Sequence, residues 1–192
     1  FVGLGQMGSA MCPHLIKDGH HVTVYDVSQK AVSALEKQGA KGTKSPKEAA
    51  QGCEAIFAIL PIGEIVEKVV LGTDGIADGM SGNAIFVDMS TILPDETRQI
   101  GKGLADRGFS MVDAPVGRTS AHAINGKSTF MVGGKKQDID RVVPFLECMG
   151  EALTYCGELG SGSVVKLVNN YISAVSNLVT AEGLALGLKS GV

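Results

Sequence analysis

Short apolar runs alternate with helical patterns along most of the chain, and this alternation predicts an α/β fold. Several runs are apolar at every position, which is typical of parallel strands buried on both faces. The predicted strands follow the opening apolar run and cover residues 21–25, 55–60, 84–88, 109–113, 129–132 and 152–155. The predicted helices between them cover residues 7–18, 29–38, 46–52, 63–71 and 94–107. This order indicates a Rossmann-type, doubly wound and mostly parallel sheet.

Three positions mark where helices begin or break. Ser28 and Ser45 are expected to cap the second and third helices, and Pro46 suits a first helical position. The helical segment between the last two strands contains Pro144, so we expect a break or kink there.

A long, mostly apolar helix is predicted over residues 163–189, with Gly191 as a left-handed cap. Apolarity on nearly all sides is typical of a buried helix. One stripe of this helix is nevertheless polar, at steps of three and four residues: Lys166, Asn169, Asn170, Ser173 and Asn177. The stripe is either a solvent face, a surface for a neighbouring domain, or part of a functional site.

Glycines at positions 3, 5 and 8 follow the first apolar run and precede a helix, the spacing of a dinucleotide-binding turn. Gly3 would make the tight turn, Gly5 would let the backbone approach a pyrophosphate, and Gly8 would let helix and strand pack closely. Asp26 ends the next strand, 18 positions after Gly8. A carboxylate there accepts hydrogen bonds from ribose hydroxyls and repels a 2′-phosphate, so NAD(H) is favoured over NADP(H). The alternatives are an ordinary glycine-rich turn and a solvated Asp26.

Two strand ends are expected to line the cofactor crevice, because ligands of open α/β sheets bind beyond the carboxyl ends of the strands. Pro61 ends one strand, and Ser90 and Thr91 follow another. For Ser90 and Thr91 the alternative is capping of the helix that begins at Pro94.

The loop over residues 114–120 places Arg118 beside Thr119 and Ser120, after the strand that ends at Asp113. The planar guanidinium fork suits a carboxylate, sulfonate or phosphate. We therefore expect an anion-binding loop, with an ordinary surface arginine as the alternative.

Composition narrows the class of protein. The chain has 192 residues, of which 44% are hydrophobic and 19% charged, which indicates a globular protein. A net charge of -3 gives no support for a nucleic-acid or membrane partner. Four cysteines without CxxC spacing indicate a reduced, cytoplasmic compartment, and no signal peptide is visible. The histidines form no ligand pattern with cysteines or carboxylates, so no metal is predicted.

Three motifs follow one another along the chain: the glycine loop over residues 3–8, Asp113-Ala114-Pro115-Val116, and Gly162-x-x-x-Lys166-x-x-Asn169-Asn170. Together they make the chain resemble the β-hydroxyacid dehydrogenase family over its whole length. The resemblance implies an NAD-dependent oxidoreductase that acts on a CH–OH group or an aldehyde. It implies Lys166 as the general acid that protonates the substrate oxygen. The implied cofactor residues are Gly3, Gly5, Gln6, Met7, Gly8, Asp26, Leu60, Pro61 and Thr91.

The loop departs from the Asp-Ala-Pro-Val-Ser-Gly-Gly version that many family members carry. Its Gly-Arg-Thr-Ser sequence is similar to that of family members that reduce 3-sulfolactaldehyde to 2,3-dihydroxypropane-1-sulfonate with NADH. The resemblance implies a substrate site made by Arg118, Thr119, Ser120, Asn169 and Asn170. The same donors also suit a carboxylate, so tartronate semialdehyde, succinic semialdehyde (4-hydroxybutyrate) and 3-hydroxyisobutyrate are the alternatives. A dinucleotide-binding module without turnover is the alternative from a different class.

The expected organisation is an NAD-binding domain over residues 1–160, followed by a long interdomain helix over residues 161–192. This helix would begin an all-α C-terminal domain that is otherwise truncated. We expect a small-molecule anionic substrate, no nucleic-acid or membrane partner, and a homo-oligomer when the protein is full length. The fragment alone should catalyse poorly and self-associate through the apolar side of its last helix.

Overall fold

The computed structural model describes residues 1–192, which form nine α-helices and eight β-strands. The helices are α1 (Gln6–Lys17), α2 (Gln29–Glu36), α3 (Pro46–Ala50), α4 (Gly63–Leu71), α5 (Ile76–Gly79), α6 (Pro94–Ala105), α7 (Ser120–Ile124), α8 (Lys136–Met149) and α9 (Ser161–Lys189). The strands are β1 (Thr23–Val24), β2 (Lys41–Gly42), β3 (Ala55–Ala58), β4 (Ile85–Asp88), β5 (Ser110–Asp113), β6 (Val116–Gly117), β7 (Ser128–Gly133) and β8 (Gly150–Gly157).

The parallel centre of the sheet consists of β3, β4 and β5. Ala58 pairs with Asp88 and Asp88 pairs with Asp113, so the carboxyl ends of these strands are level. Val2 forms isolated parallel bridges with Ala58 of β3 and with Tyr25, the residue after β1. These bridges connect the parallel pair β1–β2 to the edge of the sheet at β3. The loops that follow these strands therefore share one edge of the sheet.

Beyond β5 the sheet is mixed. Strand β7 is antiparallel to β5 and to β6, and parallel to β8. The prediction of a mostly parallel sheet is confirmed.

Each face of the sheet has its own hydrophobic core, because successive strand residues point to opposite sides. Phe57 belongs to the core that includes Met11 of α1 and Leu146 of α8. Its neighbour Ile56 belongs to the core that includes Val66 of α4 and Ile100 of α6. Helices cover both faces, as the prediction of a doubly wound fold requires.

The predicted helix signals are confirmed except at Pro144. Helix α4 has the predicted bounds, and the hydroxyls of Ser28 and Ser45 accept hydrogen bonds from backbone N–H groups at their helix starts. Of the break or kink expected at Pro144, the break is wrong, because α8 is continuous over Lys136–Met149. Proline removes one backbone hydrogen bond, while Val142 and Leu146 keep their buried positions on either side of it.

Sequence analysis missed the shortest elements. Strands β2 and β6 have two residues each, and helices α5 and α7 have four and five residues. Such short segments contain too few positions to show a period of 2 or 3.6.

Helix α9 is 29 residues long, and of its residues only Gly162 and Ser163 are buried. The burial predicted for its apolar side is therefore not provided within this chain. By length and composition it is the one helix that is long and apolar enough to cross a membrane. The core helix of a soluble protein meets the same criterion. Gly191 has the predicted left-handed conformation (φ +82°), and the Val192 N–H closes the helix end on the Gly187 carbonyl at 3.1 Å.

Candidate functional site

The glycine loop between Val2 and α1 has the geometry that its spacing predicts. Gly3 has a φ of +88°, and a Cβ atom there would lie 2.3 Å from the Ile59 carbonyl oxygen. A Cβ atom on Gly8 would lie 1.9 Å from the Gly3 carbonyl oxygen. By contrast, a Cβ atom on Gly5 would meet nothing within 4 Å. The first and third glycines are thus required by the protein's own packing, whereas the second faces open space.

The first turn of α1 is suited to a phosphate. Gly5 occupies the N-cap position, and no side chain caps the helix there. The first turn contains no acidic residue. Free backbone N–H groups and the positive end of the helix dipole therefore face the open space above Gly5.

Asp26 is fixed to the glycine loop by hydrogen bonds. Its Oδ2 accepts from the Leu4 N–H at 2.6 Å, and its Oδ1 accepts from the Ser28 N–H at 2.7 Å. Each carboxylate oxygen has about two acceptor sites, so each keeps one for a ligand hydroxyl. Asp26 forms no ion pair with a basic side chain of the chain.

A cleft of about 530 Å³ lies between the glycine loop and the start of α4. Eight of the nine predicted cofactor residues line it: Gly3, Gly5, Gln6, Met7, Gly8, Asp26, Leu60 and Pro61. Sequence analysis missed the six residues that complete the lining, which are apolar or aromatic: Val2, Tyr25, Val27, Ile59, Ile65 and Val69. Ile65 and Val69 are four positions apart on α4, and this helical spacing was the available signal.

The ninth residue, Thr91, is exposed and does not line this cleft. Its neighbour Ser90 is buried, and the Ser90 hydroxyl accepts a hydrogen bond from the Leu60 N–H at 2.9 Å. The Ser90 N–H in turn donates to Asp88 Oδ1 at 3.0 Å. Ser90 therefore ties the loop after β3 to the end of β4. Neither residue caps α6, whose N-cap position is Leu93.

Asp113 anchors the start of α9 at the end of β5. Its Oδ1 accepts from the Gly160 N–H at 2.8 Å, and its Oδ2 accepts from the Ser163 N–H at 2.8 Å. Burial raises the pKa of this carboxyl above its ordinary value, although these hydrogen bonds act in the opposite direction. The Ser163 hydroxyl also lies 3.1 Å from the Thr97 hydroxyl, which ties α9 to α6.

Lys166 is the sixth residue of α9, in its second turn, and is half-buried. It forms no ion pair, and burial lowers its pKa from the ordinary lysine value. Asn169 and Asn170 follow on the same helix and are exposed. The polar stripe is thus half-buried only at Lys166, near the anchored end of the helix.

The predicted anion loop contacts both the glycine loop and a second cavity. The Gln6 side-chain amide donates to the Ser120 hydroxyl at 3.1 Å, which brings Ser120 to the first turn of α1. Arg118 has a φ of +70° and forms an ion pair with Glu151. Its guanidinium also donates to the Lys127 carbonyl at 3.1 Å.

The Arg118 side chain lines a cavity of about 640 Å³ that contains neither Lys166 nor any residue of the glycine loop. The Thr119 hydroxyl lies 2.9 Å from His122 Nδ1. Ser120 therefore contacts a residue that lines the cofactor cleft, Gln6, whereas Arg118 lines a separate cavity.

These features fit a bound NAD(H): the uncapped helix start for the pyrophosphate, the Asp26 carboxylate for the ribose, and an apolar cleft for the rings. The fold and the cleft define a dinucleotide-binding domain of the Rossmann type. Residues 1–157 match the family described as the NAD binding domain of 6-phosphogluconate dehydrogenase. The chain belongs to this family of NAD-binding domains and, as its motifs indicated, to the β-hydroxyacid dehydrogenase family.

Individual proteins show the same relationship. The chain is 42% identical to 3-sulfolactaldehyde reductase of Escherichia coli (strain K12), over 97% of this chain and 62% of that protein. It is 39% identical to 3-hydroxyisobutyrate dehydrogenase of Pseudomonas aeruginosa, over 100% of this chain and 64% of that protein. Its fold matches the structure of Mycobacterium tuberculosis 3-hydroxyisobutyrate dehydrogenase with L-serine, with a TM-score of 0.94 and 32% identity. That match covers 100% of this chain and 65% of the other, so the chain spans less than two thirds of the length of these relatives.

Proposed function

We propose that the protein catalyses the NADH-dependent reduction of a small anionic aldehyde, with Lys166 as the proton donor. The observation that carries this proposal is the placement of Lys166. Asp113 holds the start of α9 at the carboxyl end of β5, level with the strand ends that precede the glycine loop and the Leu60–Pro61 loop. A half-buried lysine without an ion pair thus belongs to the same edge of the sheet as the cofactor cleft.

The environment of Lys166 suits proton transfer. Bound NADH supplies a hydride to the carbonyl carbon, and the carbonyl oxygen then needs a proton. Burial lowers the pKa of Lys166, which makes its ammonium group a stronger acid and a better proton donor. While it is protonated, the same group stabilises negative charge on the oxygen.

The substrate that we propose first is 3-sulfolactaldehyde, with a carboxylate aldehyde as the second candidate. The Arg118-Thr119-Ser120 loop and the similarity to the E. coli reductase support the sulfonate. The near-equal identity to 3-hydroxyisobutyrate dehydrogenase supports the carboxylate. We propose that Arg118, Ser120 and the Asn169–Asn170 pair hold the acidic group and orient the carbonyl, with Thr119 supporting the loop and Thr91 beside the nicotinamide.

We propose that the exposed apolar side of α9 packs against residues that correspond to the additional length of the relatives. The matches span only 62% and 64% of the two relatives, and α9 has an apolar side that nothing in this chain covers. We therefore propose that a helical domain or a second copy covers α9, and that neither a membrane nor a nucleic acid does.

The test of the proton donor uses Lys166→Ala in a length-completed protein, in which the chain continues into the carboxyl-terminal third of the E. coli relative. The rate of NADH oxidation should fall at least about a hundredfold, as expected for loss of a general acid, while the dissociation constant for NADH stays within about twofold. Lys189→Ala, at the exposed end of the same helix, is the matched control. An unchanged rate in Lys166→Ala would refute the assignment, and a protein that binds NADH without turnover would favour the non-catalytic module.

The substrate is tested by kcat/KM for 3-sulfolactaldehyde, tartronate semialdehyde and succinic semialdehyde. A preference of about a hundredfold for the sulfonate corresponds to about 2.7 kcal/mol of transition-state discrimination. Equal or better use of a carboxylate would instead establish the second candidate.

A further inference from the structure

A cluster of three potential metal ligands lies where the end of α1 meets α8. Asp18 and His20 belong to the turn that follows α1, and Cys148 lies in the last turn of α8. The ligands come from two segments about 130 positions apart, which is why their spacing in the sequence showed no pattern. None of the three residues lines the cofactor cleft.

The three ligand atoms form a triangle of suitable size for one ion. Cys148 Sγ lies 3.3 Å from Asp18 Oδ2 and 3.8 Å from His20 Nε2. His20 Nε2 lies 3.6 Å from the same Asp18 oxygen. A tetrahedral zinc ion, with bonds of about 2.3 Å to sulfur and about 2.0–2.1 Å to nitrogen and oxygen, places such atoms about 3.3–3.6 Å apart. Each observed distance agrees with its tetrahedral edge to within about 0.3 Å.

We propose that Asp18, His20 and Cys148 form a zinc site that clamps the turn after α1 to α8. The three side chains supply three corners of the tetrahedron, and a water molecule completes it. The inference does not rest on the proposed enzymatic function.

The local structure holds the ligands in place before any metal binds. Gly19 has a φ of +93°, and this left-handed residue turns the chain between Asp18 and His20. The imidazole of His20 packs against Phe145, with ring centroids 5.0 Å apart. The Cys148 thiol is half-buried and donates to the Asp18 carboxylate. Metal binding would therefore need little rearrangement of the backbone.

The chemical types of the three ligands determine which metal the site favours. A thiolate and an imidazole favour Zn²⁺ over Mg²⁺ or Ca²⁺, which prefer oxygen ligands. When the metal binds, the thiol proton passes to solvent and the sulfur forms a bond to the metal. One thiolate and one carboxylate then balance the charge of the dication, so the site is electrically neutral when occupied.

The experiment titrates the 192-residue chain, first treated with a chelator, with Zn²⁺ in a calorimeter and with Co²⁺ in a spectrophotometer. We expect about one zinc ion per chain and a near-ultraviolet thiolate-to-cobalt charge-transfer band. The midpoint of thermal unfolding should rise with added Zn²⁺ and return on chelation. Cys148→Ser should abolish the cobalt band, and His20→Gln and Asp18→Asn should each weaken zinc binding at least about tenfold.

Cys156→Ser is the matched control, because Cys156 is also a half-buried free thiol but lies outside the cluster. It should keep the stoichiometry, the affinity and the cobalt band. If Cys148→Ser does not fold, as judged by circular dichroism, His20→Gln provides the decisive comparison. Absence of zinc binding by the unmodified chain, or binding that persists in both Cys148→Ser and His20→Gln, would overturn the proposal.

Discussion

The Asp113 carboxylate accepts a hydrogen bond from the Ser163 backbone N–H at 2.8 Å, across 50 positions of sequence. Glycines provide the space for this contact. A Cβ atom on Gly133 would lie 2.4 Å from Asp113 Oδ1, and one on Gly162 would lie 2.9 Å from Oδ2. The end of β5 and the start of α9 are therefore joined through a buried carboxylate with no room for a larger neighbour.

Replacement of Asp113 by alanine should destabilise the protein, because it leaves the Gly160 and Ser163 N–H groups buried without an acceptor. We expect a loss of about 2–4 kcal/mol in the free energy of unfolding, measured by urea denaturation of the 192-residue chain. Asp95→Ala is the control, since its side chain is 95% exposed. A loss below about 0.5 kcal/mol would show that α9 is held by other contacts.

Alanine substitutions at Gly5 and Gly8 should separate cofactor binding from folding. Gly8→Ala places a methyl group against the Gly3 carbonyl and should cost about 2 kcal/mol or more of stability. Gly5→Ala meets open space and has an ordinary φ of -64°, so the fold should tolerate it. The added methyl group enters the cleft, and we expect NADH affinity to fall at least about tenfold. Fluorescence titration with NADH and urea denaturation measure the two effects, and normal NADH affinity in a folded Gly5→Ala would contradict our placement of the pyrophosphate.

Much of the fold and the cofactor cleft was accessible from the sequence because the signals are local. The glycine spacing and Asp26 lie within one strand–helix–strand unit, and the structure places them at the same cleft. The buried strands could be located because their apolar runs are continuous. At Pro144 the expected helix break does not occur, since the tertiary packing of α8 outweighs one lost backbone hydrogen bond.

The rest of the site depends on contacts that no local pattern encodes. The Arg118–Glu151 ion pair joins the bend after β6 to strand β8, and the Arg118 side chain lines a different cavity from the cofactor cleft. The Asp18–His20–Cys148 cluster likewise exists only because α1 packs against α8. Burial of Asp113 could not be inferred from its position at a strand end alone.

The Arg118–Glu151 pair leads to a prediction about substrate affinity. Both side chains are partly exposed, at 37% and 44%, and such pairs contribute only about 0–1 kcal/mol. A substrate anion can therefore compete with Glu151 for the guanidinium. We expect Glu151→Gln to lower KM for an anionic aldehyde and Arg118→Ala to raise it about tenfold or more, in the length-completed protein. Unchanged KM values in both variants would show that Arg118 serves the loop structure rather than the substrate.

Asp88 should make stability depend on pH between about 4 and 6. This carboxyl is 1% exposed, and burial raises its pKa from 3.8 to about 6, although a hydrogen bond from Ser90 opposes the shift. The folded state therefore holds the proton more tightly than the unfolded state. The stabilising contribution is complete below pH 3.8 and is lost as the pH rises through about 6, with a slope of at most about 1.4 kcal/mol per pH unit.

Asp88→Asn removes this titration, so the variant should gain stability relative to the unmodified chain as the pH rises from about 4 to 6. Above about pH 7 the difference should be constant, because Asp88 is then ionised in both states. Urea denaturation of both proteins at several pH values gives the difference between their free energies of unfolding. Contributions that the other carboxyl groups make equally to both proteins cancel in this difference. Because Asp88 and Asp113 are register neighbours, ionisation of one raises the pKa of the other. A difference that does not change between pH 4 and 6 would show that Asp88 is not desolvated in the folded protein.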